Sequence, residues 1–193
     1  MFSQNDEEAH ILRACPEPSG RFLDIGAWNA CDKSNTRALY ERGWRGVMVE
    51  PSPGPYRGLL AAYPPGNGVL VVNAAVTLDG NPVEMWLTDD ACSTSDQETY
   101  EKWAAIVAFQ PKKVQIPGIS LETLLAHGGF DFVSIDTEGT SGALMLRLLA
   151  LGQRPRCICV EHDYRASVLR RAAEEDYREV YSSGENLVLV RKW

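Results

Sequence analysis

No apolar run in this 193-residue sequence approaches the roughly 20 residues that a membrane-spanning helix needs. The first residues carry acids at Asp6, Glu7 and Glu8, unlike the basic and then apolar opening of a signal peptide. Basic clusters are missing as well: Lys and Arg are scattered, and the formal net charge is −7. A large electrostatic footprint on nucleic acid or on an anionic membrane needs basic patches, so neither is an expected partner. The five cysteines (Cys15, Cys31, Cys92, Cys157 and Cys159) form no CxxC pair, which leaves no basis for a metal site built on them. An odd number of them, without a secretion signal, suits reduced thiols in a cytoplasm, the expected location. They read as small core or loop residues, with Cys157 and Cys159 on one face of a strand. There is no internal repeat, and nothing marks a second domain, so a single domain over residues 1–193 is expected.

What the sequence does have is a series of short, continuous apolar runs separated by helix-like segments. The runs at residues 21–25, 46–50, 69–73, 131–136 and 156–161 are apolar throughout rather than alternating. Strands of that kind belong to a parallel sheet covered on both faces. Helices are expected at residues 6–14, 36–42, 56–62, 120–126, 142–151 and 166–175, with residues 1–20 forming an N-terminal helix and a linker. Pro51 and Pro53 read as stops after the second strand. Residues 177–181 and 186–191, joined by S-S-G-E, read as a hairpin closing the sheet. The fold class is therefore α/β: a Rossmann-like, doubly wound, mostly parallel sheet with a C-terminal hairpin. Residues 83–87 read as an added strand. Periodicity fades over residues 88–114, although Tyr100, Trp103, Ile106, Val107 and Phe109 fit one short amphipathic helix. This stretch is the expected acceptor-binding lid, against the plainer alternative of a surface insertion. Trp44, Trp86 and Trp103 read as core or lid packing.

Ligands in such sheets bind outside the carboxyl ends of the parallel strands. Those ends carry Asp24, Glu50, Asn73, Asp136 and Glu161. Acids repeated along one edge point to a polar cleft, because a buried carboxylate needs partners. The first strand runs into D-I-G-A-W-N-A, where Gly26 opens a turn that only a residue without Cβ takes freely. Glu50 lies where an acid binds the hydroxyls of a ligand's ribose. A dinucleotide fingerprint would continue G-x-G-x-x-G, but Trp28 and Cys31 stand at the second and third glycine positions. No cradle for a pyrophosphate is visible, and a ligand without phosphates, such as S-adenosylmethionine, fits better.

The runs F-L-D-I-G-A, S-N-T-R-A-L-Y-E-R-G-W-R-G-V-M-V-E-P, I-S-L-E-T-L-L, D-F-V-S-I-D-T-E-G and C-V-E-H occur in order from about Arg21 to His162. Together they resemble the FkbM family of S-adenosylmethionine-dependent methyltransferases. The resemblance implies a class I methyltransferase fold with an antiparallel final strand, and methylation of a hydroxyl on a sugar, polyketide, or other small-molecule or glycan acceptor. It assigns Asp24, Gly26 and Ala27 to the cofactor turn, together with Trp28 and Asn29, and Glu50 with Pro51 to the ribose. Asn73 and Ala74 fall beside the adenine, and Asp136 and Glu138 beside the methyl-transfer centre. The family's D-I-G-A-N-D-G is altered here, Trp28, Asn29 and Ala30 replacing Asn, Asp and Gly. If that last position needs a positive φ, Ala30 carries a strain of about 1 kcal/mol. Trp28 either walls the cofactor pocket or packs under the loop.

Methyl transfer from a sulfonium is an in-line displacement that needs alignment, and a hydroxyl acceptor also benefits from a base. Asp136, Glu138, Glu161 and His162 are the candidates, catalysis being assigned to Asp136, Glu138 and His162. His162 has the most suitable ordinary pKa, and it also suits a hydrogen-bonded turn after the fifth strand. Asp136, Glu138, Glu161 and His162 alternatively hold Mg²⁺ or Mn²⁺, although no ligand spacing demands it. Two further readings stay open: a non-catalytic module that binds an S-adenosyl ligand, prompted by the altered loop, and a nicotinamide oxidoreductase, for which the missing glycines count against it.

Overall fold

A strand that is apolar along its whole length must bury both faces, and the covering helices have to come from both sides of a sheet. The computed structural model describes residues 1–88, 92–106, 111–162 and 165–192 and has this arrangement. Its strands are β1 (Arg21–Ile25), β2 (Arg45–Val49), β3 (Val69–Val72), β4 (Ala75–Val76), β5 (Val83–Leu87), β6 (Lys112–Ile116), β7 (Gly118–Ile119), β8 (Phe132–Ile135), β9 (Cys157–Glu161), β10 (Tyr177–Ser182) and β11 (Asn186–Arg191). Its helices are α1 (Glu7–Ala14), α2 (Arg37–Glu41), α3 (Pro53–Ala62), α4 (Gln97–Ile106), α5 (Leu121–Leu125), α6 (Ser141–Ala150) and α7 (Ala166–Ala173). None of these is long and apolar enough to cross a membrane.

The main sheet has seven strands in the order β10-β11-β9-β8-β1-β2-β3. β3, β2, β1, β8 and β9 are parallel, and β11 lies antiparallel between β9 and β10. The C-terminal hairpin thus adds at the sheet's edge, with its last strand inserted inward. From β1 the chain first builds outward through β2 and β3, and later returns to β8 on the opposite side. That reversal leaves a crevice at the carboxyl ends of β1 and β8, the usual ligand position in such sheets.

Successive residues of β1 serve opposite layers. Phe22 packs with Ile11 and Cys15 of the α1 side, Leu39 of α2, and Leu59 of α3. Leu23 and Ile25 pack with Leu121 of α5, Leu144 and Leu148 of α6, and Leu169 of α7. Phe22 and Leu23 are both fully buried, which stabilises the fold by about 1.5–3 kcal/mol each. Trp44 closes the first layer, its indole N–H donating to the Glu17 carbonyl at 2.9 Å. Cys15, Cys157 and Cys159 are buried in that layer too, and none of the five cysteines is in a disulfide. Burial pushes the Cys159 thiol well up, and the Cys157 thiol is raised first by its hydrogen bond with Cys15 and then by burial.

Three differences from the sequence reading have physical causes. Pro53 does not stop a strand but opens α3, at a position where the missing N–H costs nothing. Residues 83–87 do form the added strand, β5, but it pairs antiparallel with β6 in a ribbon separate from the main sheet. β6 reads K-K-V-Q-I and is exposed except at Ile116, so it shows neither the continuous nor the alternating pattern of a covered strand. Between these two strands stands α4, which includes Tyr100, Trp103 and Ile106; Val107 and Phe109 lie outside the described residues. Trp86 of β5 stacks on Tyr100 of α4, with ring centroids 4.6 Å apart.

Candidate active site

The crevice is a cavity of about 420 Å³ bounded by the carboxyl ends of the parallel strands. Gly26 forms its floor at the exit of β1. Its φ is +82°, and a Cβ there would lie 1.6 Å from the Asp136 carbonyl oxygen. Only glycine lets the β1 and β8 ends approach so closely. The Asp136 N–H donates to the Ile25 carbonyl at 2.9 Å, and the Gly26 and Ala27 N–H groups donate to the Val49 carbonyl. These bonds tie the ends of β8, β1 and β2 together around the cavity.

Glu50 follows β2 and lines the cavity, though it is only 4% exposed. Its Oε2 accepts the Trp28 N–H at 2.9 Å, and its Oε1 accepts the Ser52 N–H at 2.6 Å. A carboxylate oxygen accepts more than one donor, so both oxygens keep capacity for a ligand's hydroxyls. Burial raises the Glu50 pKa, and the Ser52 and Trp28 N–H bonds oppose that rise. Trp28 takes a φ of +39°, donates its bond to Glu50 from the backbone N–H, and lines the cavity. The positive φ falls on Trp28 and not on Ala30, so the strain foreseen at Ala30 is absent.

The opposite wall is the turn after β8. Asp136, Thr137, Glu138 and Thr140 line the cavity, with Glu161 from the end of β9. Glu138 has a φ of +50° and is clamped in it. Its N–H donates to Glu161 Oε2 at 3.1 Å, its carbonyl accepts Thr94 Oγ1 at 2.6 Å, and its Oε2 accepts the Trp103 indole N–H at 3.2 Å. Glu161 Oε2 also accepts the Ser141 hydroxyl at 3.1 Å. Gly139 must be glycine here, because at φ +102° a Cβ would come within 2.5 Å of Thr99 Oγ1. Thus the ribbon and α4 seat directly on the turn, and Met85, Ser93, Ser95, Lys102 and Trp103 complete that wall. Trp103 lies at the cavity, beyond the packing role read for it.

Several residues named from the sequence stand elsewhere. Asp24 is not at the cavity: it lies beneath the turn and accepts the Thr36 hydroxyl at 2.5 Å. Burial pushes its pKa up to about 6, against the Thr36 bond and with the Glu50 charge adding to the rise. Asn29 is exposed, and its Oδ1 accepts the N–H groups of Cys31 and Asp32 at 2.9 and 3.0 Å, making a turn of its own. Asn73 does not line the cavity; its Nδ2 donates to the Glu50 and Pro51 carbonyls at 2.8 and 3.0 Å and so fixes the β2 exit. Ala74 and Pro51 do line it. His162 is buried outside it, with Nε2 3.2 Å from the Ser183 carbonyl and Nδ1 without a partner among the described residues. For a metal, Asp136, Glu138 and Glu161 bring carboxylate oxygens within 4.8 Å of one another, and His162 is not part of that group. Lys33 and Lys102 also line the cavity, and Gln4, Gly184 and Glu185 reach it from the N-terminal segment and the hairpin.

A model of the methyltransferase FkbM domain matches residues 24–166, about three quarters of the chain. The chain belongs to the FkbM family of S-adenosylmethionine-dependent methyltransferases. Among solved structures, it is similar to the methyltransferase FkbM from Methylobacillus flagellatus, at 12% identity and a TM-score of 0.54, covering 98% of this chain and 56% of that one. It is also similar to the O-methyltransferase from Bacillus cereus solved in complex with SAH, at 15% identity and a TM-score of 0.50, covering 100% and 83%. These likenesses show the class I methyltransferase fold. This FkbM domain spans little over half the length of the Methylobacillus protein. No curated protein matches the chain.

Gln4, Lys33 and Glu185 are cavity residues without a signal in the sequence. Gln4 precedes the first helix, Lys33 sits in an exposed loop, and Glu185 belongs to a hairpin turn. Only the path of the backbone brings them to the cavity.

Proposed function

We propose that the chain transfers the methyl group of S-adenosylmethionine to a hydroxyl of a small-molecule or glycan acceptor, such as a sugar or polyketide. The single observation that carries this reading is the pairing across one cavity of Glu50, beside Gly26 and Trp28, with Asp136 and Glu138 on the facing turn. In this reading the adenosyl ribose lies against Glu50, whose two oxygens accept its hydroxyls, and the adenine lies towards Pro51 and Ala74. Gly26 and Ala27 let the backbone come close to the ligand. The methyl-bearing sulfur then faces the turn with Asp136 and Glu138.

The cofactor supplies an electrophilic methyl group when bound. What the protein contributes is alignment of the acceptor oxygen behind that carbon, exclusion of water by the ribbon and α4, and removal of the hydroxyl proton. Asp136 and Glu138 are the bases of this proposal, because their carboxyls border the cavity. His162 takes no proton here, since it lies outside the cavity. Residues 88–114 act as the acceptor lid, with Trp103 and Ser95 in contact with the acceptor. Glu138 Oε2 accepts the Trp103 indole N–H, and Glu161 Oε2 accepts the Glu138 N–H and the Ser141 hydroxyl, so this reading assigns no step to a metal.

The test is transfer of labelled methyl from S-adenosylmethionine to a panel of hydroxylated sugars, phenols and polyketide fragments. Loss of the base should lower the rate by about 10²–10⁴-fold in Asp136→Ala or Glu138→Ala. Unchanged rates in both variants would show that neither carboxyl acts as base.

A further inference from the structure

Among the described residues, the non-glycine residues with positive φ are Trp28, Lys33 and Glu138, and all of them line the cavity. Left-handed backbone costs about 1–2 kcal/mol for a residue with a Cβ, so it persists where the surroundings enforce it, often at a ligand site. Trp28 and Glu138 have been accounted for by Glu50 and by the clamp from Trp103 and Thr94. Lys33 has not. Its φ is +55°, and Nζ lies 5.9 Å from the centroid of the Trp28 ring, over its face. Among the described residues its ammonium makes no ion pair and no hydrogen bond. An aromatic face holds a cation in place without neutralising it, so the charge is presented to the cavity.

The neighbours of Lys33 narrow down what it meets. The Ser34 N–H donates to the Phe2 carbonyl at 3.0 Å, which sets the N-terminal segment beside this loop. Two residues on, Gln4 enters the cavity wall, and Asn5 Nδ2 donates to Glu185 Oε2 at 3.2 Å. One end of the cavity therefore carries an ammonium, a carboxylate and a primary amide. The other end, at Pro51 and Ala74, carries none of these charges. A zwitterion fits the first end, and a flat apolar ring fits the second.

We propose that the Lys33 ammonium, seated over the Trp28 ring, receives the α-carboxylate of the cofactor's aminoacyl end. The assignment rests on the adenosyl-cofactor reading above and adds a residue that the family's motif does not contain. It also gives Trp28 a second use: the residue that stands where the motif has Asn is the platform that holds the lysine.

Calorimetry with S-adenosylhomocysteine and with 5′-methylthioadenosine, which lacks the aminoacyl end, tests this without an acceptor. Lys33→Met should weaken S-adenosylhomocysteine about tenfold, the loss of one charge-assisted contact, and leave 5′-methylthioadenosine unchanged. Lys33→Arg, which keeps the charge, should retain most of the affinity. The variants share the backbone strain of the wild type, and equal thermal midpoints without ligand establish that they are folded. Equal affinity of Lys33→Met and wild type for S-adenosylhomocysteine would overturn the assignment. So would an equal loss for both ligands, which would mark a general disturbance of the loop. If the wild type binds 5′-methylthioadenosine as tightly as S-adenosylhomocysteine, the aminoacyl end has no anchor and the assignment falls while the adenosyl reading stands. If it binds neither, both fall.

Discussion

Asp24→Asn isolates the cost of a carboxyl buried beneath the cofactor turn. Asp24 is 5% exposed, accepts one hydroxyl from Thr36 and pairs with no cation among the described residues. Burial raises its pKa from 3.8 to about 6, the Thr36 bond holding it down and Glu50 adding to the rise. A folded-state acid with a raised pKa binds its proton more tightly than the unfolded chain does. Its favourable contribution is complete below about pH 3.8 and is lost as pH rises through about 6. At 1.36 kcal/mol per pH unit, holding the ionised form at neutral pH costs the fold about 3 kcal/mol. Asparagine keeps the shape and the acceptor for Thr36 but carries no charge. Its new amide lacks a partner, which costs stability by an amount that does not vary with pH. Urea unfolding of both proteins across pH 4 to 7 should therefore show the variant gaining about 2 kcal/mol relative to wild type over that range, since part of the difference has already developed by pH 4. A difference that stays flat with pH would refute the reasoning, because it would mean that Asp24 titrates alike in the folded and unfolded states.

Further substitutions probe other links. Gly26→Ala puts a methyl group 1.6 Å from the Asp136 carbonyl oxygen at a φ of +82°, and should cost more than about 3 kcal/mol by urea unfolding; wild-type stability would contradict the close approach. Glu50→Ala should weaken S-adenosylhomocysteine about 10- to 100-fold by calorimetry, the loss of hydrogen bonds to a charged group. Trp103→Phe removes the indole donor to Glu138 and should lower kcat about tenfold with little change in cofactor affinity. His162→Ala should leave methyl transfer near the wild-type rate, since its ring faces Ser183; a collapse in kcat with an intact fold would return it to the catalytic group.

Much of the fold was legible because parallel strands covered on both faces must be apolar throughout. F-V-S-I and C-I-C-V-E are buried almost throughout and leave little alternative. The acids at the strand ends were legible for the same reason, since a carboxylate there interrupts a buried run. Their individual duties were harder to read. Asp24 and Glu50 look alike in one dimension, yet one is packed beneath the turn and the other borders the cavity. The parity of the strand holds the clue: Asp24 lies two residues from Phe22 and so faces the same layer of helices, with Ile25 still to follow. β5 was read as a strand, but β6 and their pairing escaped detection because β6 is exposed along most of its length and its partner lies some two dozen residues upstream. Periodicity reports burial, and an exposed ribbon has little of it to report. Lys33, Gln4 and Glu185 could not be found by spacing, because loop paths alone unite them.

The central claim is that the cavity between Glu50 and the Asp136–Glu138 turn binds an adenosyl cofactor. Titration of the wild-type protein with S-adenosylhomocysteine in a calorimeter tests it most directly. Saturable binding at one site per chain, displaced by S-adenosylmethionine and weakened by Glu50→Ala, is the predicted result. An absence of binding by either compound to folded protein, or binding that Glu50→Ala leaves untouched, would contradict it.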